Sequence, residues 1–293
     1  MSVRITALTD LDETPSSRRL AWLAADADGS PLGSAFLRLF TREGQRHLAE
    51  LDIQVHPAER RKQVGTRLLS AVVRAAREDG RRSVIAQAQD DSPGLRFLTA
   101  GGFRTVLTLT YARLALADAD LAALTALTRA DDAGYRLTTW DGMVPDELAD
   151  TYVASRRAMD DMPMGAVDYG TVSWDLDRIR AAAAAVEARG ESLHTVAAID
   201  RSNEAIVGFT ELVVPSDGIG DALHYGTAVL PEHRGHGLAR RMKAAAILTT
   251  RRNHPELDGL RTDTADNNPY MRRINDALGY LPTHVAHECQ LDL

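Results

Sequence analysis

One glycine-rich segment of the sequence has residues that could bind an anion. It reads Val-Leu-Pro-Glu-His-Arg-Gly-His-Gly-Leu-Ala-Arg over residues 229–240, where an apolar strand pattern gives way to a helical one. Glycine allows a positive φ and close approach of the backbone to a ligand, while the first amides of a helix and its dipole attract negative charge. Arg234 and Arg240 add positive charge, so the segment predicts a pyrophosphate site. The ordinary alternative is a strand-to-helix turn that uses Gly235 and Gly237 for its geometry only.

Other ligand motifs are missing from the sequence. The segment lacks the Gly-Lys-Ser/Thr of a Walker loop and the Gly-x-Gly-x-x-Gly of a dinucleotide site. Histidine pairs occur at His233 and His236 and at His284 and His287, but no carboxylate or cysteine set converges on either pair by spacing. We therefore predict no metal site.

The composition limits the classes of function. The chain has 293 residues, with 34 Lys and Arg against 41 Asp and Glu, which gives a formal net charge of −7. This acidic balance argues against a nucleic-acid partner, because such proteins need a surplus of basic residues. The single cysteine, Cys289, excludes an intramolecular disulfide framework. No secretion signal or membrane-length apolar stretch is visible, so we expect a cytoplasmic protein with no membrane partner.

The sequence contains two copies of one pattern of strands and helices. Matched markers lie at offsets of 208 − 33 = 175, 231 − 57 = 174 and 279 − 102 = 177 residues. These pairs of markers are Gly33 with Gly208, Pro57 with Pro231, and Gly102 with Gly279. We predict tandem α/β domains over residues 1–130 and 131–293. The second copy also has a longer leading segment, which offers more material for a substrate pocket.

The order of these predicted elements resembles the GCN5-related N-acetyltransferase (GNAT) family. Residues 234–239 fit its Gln/Arg-x-x-Gly-x-Gly/Ala coenzyme A loop, and Asn268, with the helix after it, resembles its last motif. The resemblance covers most of both copies. It implies tandem GNAT (acyl-CoA N-acyltransferase) domains, each a mixed, mostly antiparallel sheet flanked by helices, with acetyl-CoA as co-substrate. The cofactor-binding residues that it implies are Ala228, Val229, Leu230, Arg234, Gly235, His236, Gly237, Leu238, Ala239, Arg240, Asn268, Met271 and Asn275.

The first copy departs from the family pattern. In its loop, at residues 60–66, Gln63 stands where the family usually has glycine, and Ser92 replaces the asparagine of the last motif. We therefore predict that the first copy is structural, or binds acetyl-CoA without turnover, and that the second copy carries the chemistry. A second possible cofactor site in the first copy would use Val55, Lys62, Gln63, Val64, Gly65 and Thr66.

The resemblance implies direct attack of an amine on the acetyl thioester. A backbone N–H of residues 228–230 would stabilise the negative charge that develops, and a base must take a proton from the amine. Glu211 and His224 are the candidate bases. Alternation with apolar neighbours favours a solvent-facing position for Glu211, and a lone histidine such as His224 is more often a surface or packing residue. In the first copy, Glu50 matches His224, at a position where many family members carry a catalytic carboxylate.

The general acid is less clear from the resemblance. The usual tyrosine of the last helix is replaced by Asn275, and by Leu98 in the first copy. Tyr270 or Tyr280 could serve instead, the thiolate could take its proton from water, or turnover could be slow. Tyr280 follows Gly279 and is more ordinarily a packing residue.

The acceptor site is predicted around residues 159–165, a segment that borders the acceptor in the family. Asp160 and Asp161 could attract a cationic amine, and the methionines there could form a pliable apolar wall. A solvated loop above packed methionines is the equal alternative. We predict an N-acetyltransferase that acts on the primary amine of a small molecule, whose identity the sequence leaves open. A non-catalytic acyl-CoA-binding or regulatory protein and a nucleotide-binding α/β protein are the competing hypotheses.

Overall fold

The structure is a computed structural model that describes residues 3–8, 13–14, 16–129, 134–170 and 172–293. The chain packs as two compact units, each built from more than one stretch of sequence. Unit 1 comprises Met1–Leu109, Met164–Val172 and Val285–Leu293, and unit 2 comprises Thr110–Pro163 and Ser173–His284. The predicted boundary between the copies, at residues 130 and 131, lies outside the described residues and stays a prediction.

The described residues form thirteen strands and seven α-helices. The strands are Arg4–Leu8 (β1), Glu13–Thr14 (β2), Ser17–Ala25 (β3), Pro31–Phe40 (β4), Leu48–Val55 (β5), Ser83–Gln89 (β6), Arg104–Ala115 (β7), Tyr135–Asp141 (β8), Ser192–Asp200 (β9), Ala205–Val214 (β10), Gly220–Val229 (β11), Leu257–Ala265 (β12) and Leu281–Asp292 (β13). The helices are Val64–Glu78 (α1), Pro93–Ala100 (α2), Leu121–Arg129 (α3), Asp146–Ser155 (α4), Leu176–Ala188 (α5), Leu238–Asn253 (α6) and Pro269–Ala277 (α7). Short 3₁₀ helices occur at Pro57–Glu59, Leu116–Asp118, Arg156–Met159 and Pro231–His233.

The sheet of unit 1 has the strand order β1-β3-β4-β5-β6-β13-β7. The first three neighbours and the β6–β13 neighbours pair antiparallel, whereas β5 and β6 pair in parallel across the crossover helix α1. Helix α1 buries Val64, Leu68, Val72 and Ala76, which lie four residues apart. This spacing places them on one face of the helix, and that face packs into the core of the unit.

The sheet of unit 2 has the strand order β7-β12-β11-β10-β9-β8. Its last three neighbours pair antiparallel, and β11 and β12 pair in parallel across α6. Helix α6 covers the face to which Gly208 belongs, since a Cβ there would lie 3.2 Å from the Met242 Cε. Helix α4 covers the opposite face, where the Tyr152 and Phe209 rings meet edge to face. Each unit is thus a mixed, mostly antiparallel sheet flanked by helices, and the predicted fold class is confirmed.

The parallel strands of both units stay paired over a short distance only. The paired register of β11 and β12 ends at Leu223 and Arg261, although both strands continue. The register of β5 and β6 ends in the same way, at Glu50 and Ile85. In unit 2 a bulge follows in β11. Leu212 pairs with His224 while its neighbour Glu211 pairs with Gly226, so Tyr225 is the extra residue. The unpaired edges of β11 and β12 leave an opening in the sheet beside this bulge.

No helix in the described part of the chain has both the length and the apolar character needed to cross a membrane.

Candidate functional site

The loop at the start of α6 is open and uncapped. Gly235 has φ +86° and Gly237 has φ +69°, and a Cβ at either position would meet nothing within 4 Å. Gly237 is the N-cap residue, and no side chain caps the helix. The first amides of α6, at residues 238–240, therefore have neither helical partners nor a capping side chain. The segment offers unpaired N–H groups and the positive end of a helix dipole to a ligand, as its sequence predicts.

Arg234 holds the shape of this loop. Its Nε donates to the carbonyl of Val229 at 2.9 Å, and its two terminal nitrogens donate to the Asp161 carboxylate at 2.6 and 2.8 Å. These hydrogen bonds lower the pKa of Asp161 and raise that of Arg234. A second ion pair, between Arg157 and Glu232, joins the same two segments. The predicted substrate residue Asp161 is therefore bound to the predicted cofactor loop, and both Asp161 and its neighbour Asp160 are exposed.

The amides of the predicted oxyanion site are not equivalent. The Leu230 N–H donates to the Val207 carbonyl at 2.8 Å, so it is not available to a ligand. Because donors alternate along an antiparallel pair, the amide of Ala228 also points toward β10, and that of Val229 points the other way. The prediction for residues 228–230 is corrected to Val229, whose N–H faces the opening between β11 and β12.

Glu211 lies inside unit 2, and the solvent-facing interpretation is wrong. Its side chain is 8% exposed because α4 covers this face of β10. The Tyr152 hydroxyl donates to Oε1 at 2.7 Å, and Arg156 donates to both carboxylate oxygens, with its Nη1 3.0 Å from Oε2. The Arg156 guanidinium in turn lies 4.3 Å from the Phe209 ring centroid and 4.7 Å from that of Trp174. Resident donors thus occupy both oxygens of Glu211, which anchors α4 to the sheet.

His224 belongs to a second buried cluster, on the α6 face. Its Nε2 lies 2.7 Å from the Tyr280 hydroxyl, and the Lys243 ammonium lies 5.0 Å from the centre of the Tyr280 ring. Burial, and then the charge of Lys243, lower the pKa of His224 well below its ordinary value, so the imidazole is neutral. Burial likewise raises the pKa of the Tyr280 hydroxyl. Tyr280 is 1% exposed, as expected of a packing residue, and it also gives His224 a polar partner.

The predicted residues of the last motif do not converge on this cluster. Tyr270 is 73% exposed, with the Arg273 guanidinium 4.9 Å from its ring centre. Asn268 caps α7, since its Oδ1 accepts from the Met271 amide at 3.1 Å. Asn275 is 3% exposed and donates to the Thr264 hydroxyl at 3.0 Å. Burial therefore places Asn275 in the packing of α7, which corrects its predicted contact with the cofactor.

The first copy has the same loop shape with a different surface. Gln63, the N-cap of α1, has φ +64° and ψ +8°, close to the +69° and +9° of Gly237. Arg60 donates to the Val55 carbonyl, as Arg234 does to Val229. A Cβ on Gly65 would lie 3.1 Å from the Phe97 ring, so an aromatic side chain of α2 rests against the first turn of α1.

Comparison with known families identifies the family of the chain. The sequence pattern of the acetyltransferase (GNAT) family matches residues 4–103 and 161–280. The chain belongs to the acetyltransferase (GNAT) family. This membership makes it an acyl-CoA-dependent acetyltransferase in the general sense, with a GNAT domain in each copy.

Solved structures agree with a tandem GNAT protein. A tandem GNAT protein from the clavulanic acid biosynthesis pathway is 25% identical, with a TM-score of 0.78, and the match covers 96% of this chain and 84% of that one. A GCN5-related N-acetyltransferase from Sphaerobacter thermophilus is 14% identical, with a TM-score of 0.68 and coverage of 93% and 80%, and shows the fold alone. No curated protein sequence matches the chain.

Sequence reasoning missed the partners of the predicted residues. Arg156 lies 55 positions before Glu211, so no local pattern joins them. Lys243 gives a clearer signal, because it falls between Met242 and Ala244 on a helix that is buried around much of its circumference. The position that matches Lys243 in the first copy holds an apolar residue, Leu69, which also indicates that this helix position is buried.

Proposed function

We propose that the chain is an acetyl-CoA-dependent N-acetyltransferase that transfers the acetyl group to a primary amine of a small molecule, with the chemistry in unit 2. The observation that carries the proposal is the uncapped start of α6. Gly235 and Gly237 leave its surface open, beside the opening between β11 and β12.

In this proposal the pyrophosphate of acetyl-CoA binds the free amides of residues 238–240. The pantetheine chain then extends along the unpaired edge of β11, as an added strand would. That path runs past the Val229 amide, which faces the opening, and brings the thioester to the bulge at Tyr225. A backbone N–H at this point stabilises the oxyanion when the amine attacks, and joint binding of both substrates supplies proximity.

The acceptor enters, in this proposal, from the face that carries the 3₁₀ helix Arg156–Met159. A Cβ on Gly226 would lie 3.5 Å from the Met159 Cε, so Met159 covers the bulge on this face. Asp160 is exposed nearby and offers negative charge to a cationic amine. Asp161 reaches the acceptor only if the acceptor or the cofactor displaces Arg234. We expect the acceptor to be a cytoplasmic amine.

A non-catalytic acyl-CoA-binding protein is the second candidate function. It is favoured by Asn275, which is buried at the position of the family's acid, and by the engaged oxygens of Glu211. Acetyl-CoA binding by the first copy also remains a proposal, since its loop keeps the shape of the second loop while Phe97 narrows the approach.

Thiol release separates these candidates. The wild-type chain is mixed with acetyl-CoA and, one at a time, with ethylamine, 2-phenylethylamine, spermidine, glucosamine, glycine and a short peptide. We expect amine-dependent release of free thiol, with an N-acetylated product of the matching mass. Propionyl-CoA and succinyl-CoA test the donor and should react more slowly. Tight binding of acetyl-CoA with no thiol release from any amine would contradict the catalytic proposal and support the second candidate.

A further inference from the structure

Asp263 lies where the two parallel strands of unit 2 separate. It is two residues beyond Arg261, the last residue of β12 that pairs with β11. The partner of Arg261 is Leu223, so Tyr225, the bulged residue of β11, lies opposite Asp263 across the opening. Asp263 therefore stands on the wall that faces the bulge.

The side chain of Asp263 belongs to the acceptor face of the sheet. Leu223 pairs with both Val213 and Arg261, and directly paired residues share a face. Strand alternation then puts Asp263 on the face of Val213, which is also the face of Glu211. Gly226 pairs with Glu211 and meets Met159 on that same face. Asp263 and the segment proposed to border the acceptor are thus on one side of the opening.

Asp263 is also the carboxylate there with free oxygens. Glu211 has resident donors on both oxygens, and the Nε2 of the buried His224 is held by Tyr280. Asp263 is exposed, and within the residues that the structure describes its carboxylate is bound by its own backbone N–H and by no other side chain. A solvent-accessible carboxylate with free lone pairs can accept a proton from a substrate, which an occupied one cannot do.

A buried amine, that of Lys243, interacts electrostatically with this carboxylate. Lys243 is 1% exposed, and it is the group whose charge acts on Asp263. Partial removal of water raises the pKa of Asp263, which makes it a stronger proton acceptor, while the ammonium of Lys243 opposes that rise. Burial lowers the pKa of Lys243 to about 7. Other titratable groups on the neighbouring elements are His224 and Tyr225 on β11, Tyr111 and Arg113 on β7, and Arg261 on β12.

The first copy shows that the fold does not require these groups. At the repeat offset of 174, Lys243 matches Leu69, a buried apolar residue, and at the offset of 176 that also relates Asn268 to Ser92, Asp263 matches Gln87, an exposed but uncharged residue. Burial of a lysine side chain is unfavourable for stability. The presence of Lys243 in one copy of a duplicated unit, beside the opening, indicates a function rather than a packing need.

We propose that Asp263, on the wall of the opening that faces the bulge, is the general base of unit 2. The inference rests on the proposed acetyltransferase function. Asp263 takes a proton from the acceptor ammonium, and the neutral nitrogen attacks the thioester carbonyl carbon. The C–N bond forms and the C–S bond breaks with its electron pair passing to sulfur; one of the two N–H protons leaves through water to the thiolate, and the amide keeps the other. Asp263 then returns its proton to solvent.

The test compares two small amines of similar shape. Ethylamine is protonated at about pH 7 and needs a base, whereas 2,2,2-trifluoroethylamine is mostly neutral and does not. For Asp263→Asn we expect kcat/KM for ethylamine to fall about 100-fold or more, and that for trifluoroethylamine to change by only about threefold. Asp263→Glu should recover part of the ethylamine activity. Asp258→Asn, an exposed change earlier on the same strand, is the matched control and should leave both amines unaffected.

Acetyl-CoA affinity, measured by calorimetry, and the melting temperature should be unchanged in Asp263→Asn. An equal loss with both amines, or no loss with ethylamine, would overturn the assignment of Asp263 while leaving the proposed function intact. Absence of thiol release by the wild-type chain with either amine and with the whole amine panel would instead overturn the proposed function, and the inference with it.

Discussion

The loops of the two copies follow one backbone path with different residues on it. Gln63 and Gly237 both cap their helices with φ near +65°, and Arg61 has φ +64° where the second copy has Gly235. Glycine adopts this region freely, whereas other residues are strained there, by about 1 kcal/mol or more each. The first copy therefore keeps the shape of an anion-binding loop at an energetic cost.

The differences lie in what surrounds the two loops. In the first copy, Phe97 rests against Gly65 in the first turn of α1, and in the second copy a Cβ on the loop glycines Gly235 and Gly237 would meet nothing within 4 Å. Below the loops, the positions of Leu69, Gln87 and Phe103 carry three ionisable residues in the second copy. Those residues are Lys243, Asp263 and Tyr280. The two copies thus share the loop geometry and differ in the ionisable residues beneath it, and our proposal places the chemistry in the copy that has them.

The largest expected effect is at the N-cap of α6. In Gly237→Asp the new carboxylate would face the pyrophosphate, so we expect acetyl-CoA affinity and turnover to fall about 100-fold or more. Asparagine has the shape of aspartate without its charge and tolerates a positive φ, so Gly237→Asn should retain most of the acetyl-CoA affinity and turnover. Gln63→Glu, the matched change in the first copy, should leave turnover nearly intact. Calorimetry measures the affinity, and thiol release measures the turnover. Loss of turnover in Gln63→Glu but not in Gly237→Asp would reverse the assignment of the two copies.

The next effect concerns the buried ion pair of unit 2, which the first copy lacks. Phe36 occupies the position that matches Glu211 at the offset of 175. Arg156→Met should lower the free energy of unfolding by about 3–5 kcal/mol, because it leaves the Glu211 carboxylate buried without its cation. The double variant with Glu211→Leu should recover most of that loss. Urea denaturation measures both, and equal destabilisation by the single and double variants would contradict the account.

A smaller effect is expected when Lys243 is replaced by leucine, the residue type at the matching position of the first copy. The pKa of Lys243 is about 7 when folded, against about 10.4 for an unfolded lysine. Between these values the unfolded chain binds more protons, so the wild type gains stability as the pH rises toward about 10. Lys243→Leu should raise the free energy of unfolding by about 2–4 kcal/mol at pH 7, and the difference should shrink as the pH rises. A difference that stays constant with pH would show that Lys243 is charged in the fold.

The smallest effect tests the strain in the first loop. Gln63→Gly should raise the free energy of unfolding by about 1 kcal/mol, because it removes the strain of positive φ. Lys62→Gly, at a neighbouring residue with an ordinary φ, should lower it instead. Denaturation in urea measures both variants, and destabilisation by Gln63→Gly would argue against strain at that position.

The sequence predicted what depends on local pattern. The loop at residues 229–240 and the helix after it follow from glycine and periodicity, and the repeat follows from three matched offsets. The same features identify the family. Helix and strand positions near the cofactor loop therefore needed no tertiary information.

Features that depend on tertiary packing could not be predicted from the sequence. Glu211 alternates like a surface residue, yet α4 covers it, and its partner Arg156 comes from a distant segment. The position of Asn275 in the last motif predicts a cofactor contact, but α7 buries this residue against Thr264. The pairing of Asp161 with Arg234 likewise joins residues 73 positions apart. No spacing rule links such residues, because the fold alone brings them together.

Amide hydrogen exchange with and without acetyl-CoA tests the central claim most directly, because it locates the bound cofactor without a known acceptor. The account predicts slower exchange at residues 235–242, the loop and first turns of α6, on addition of saturating acetyl-CoA. That protection should disappear in Gly237→Asp and persist in Gln63→Glu. Protection at residues 61–68 with none at 235–242 would contradict the claim that the second copy binds the cofactor for catalysis.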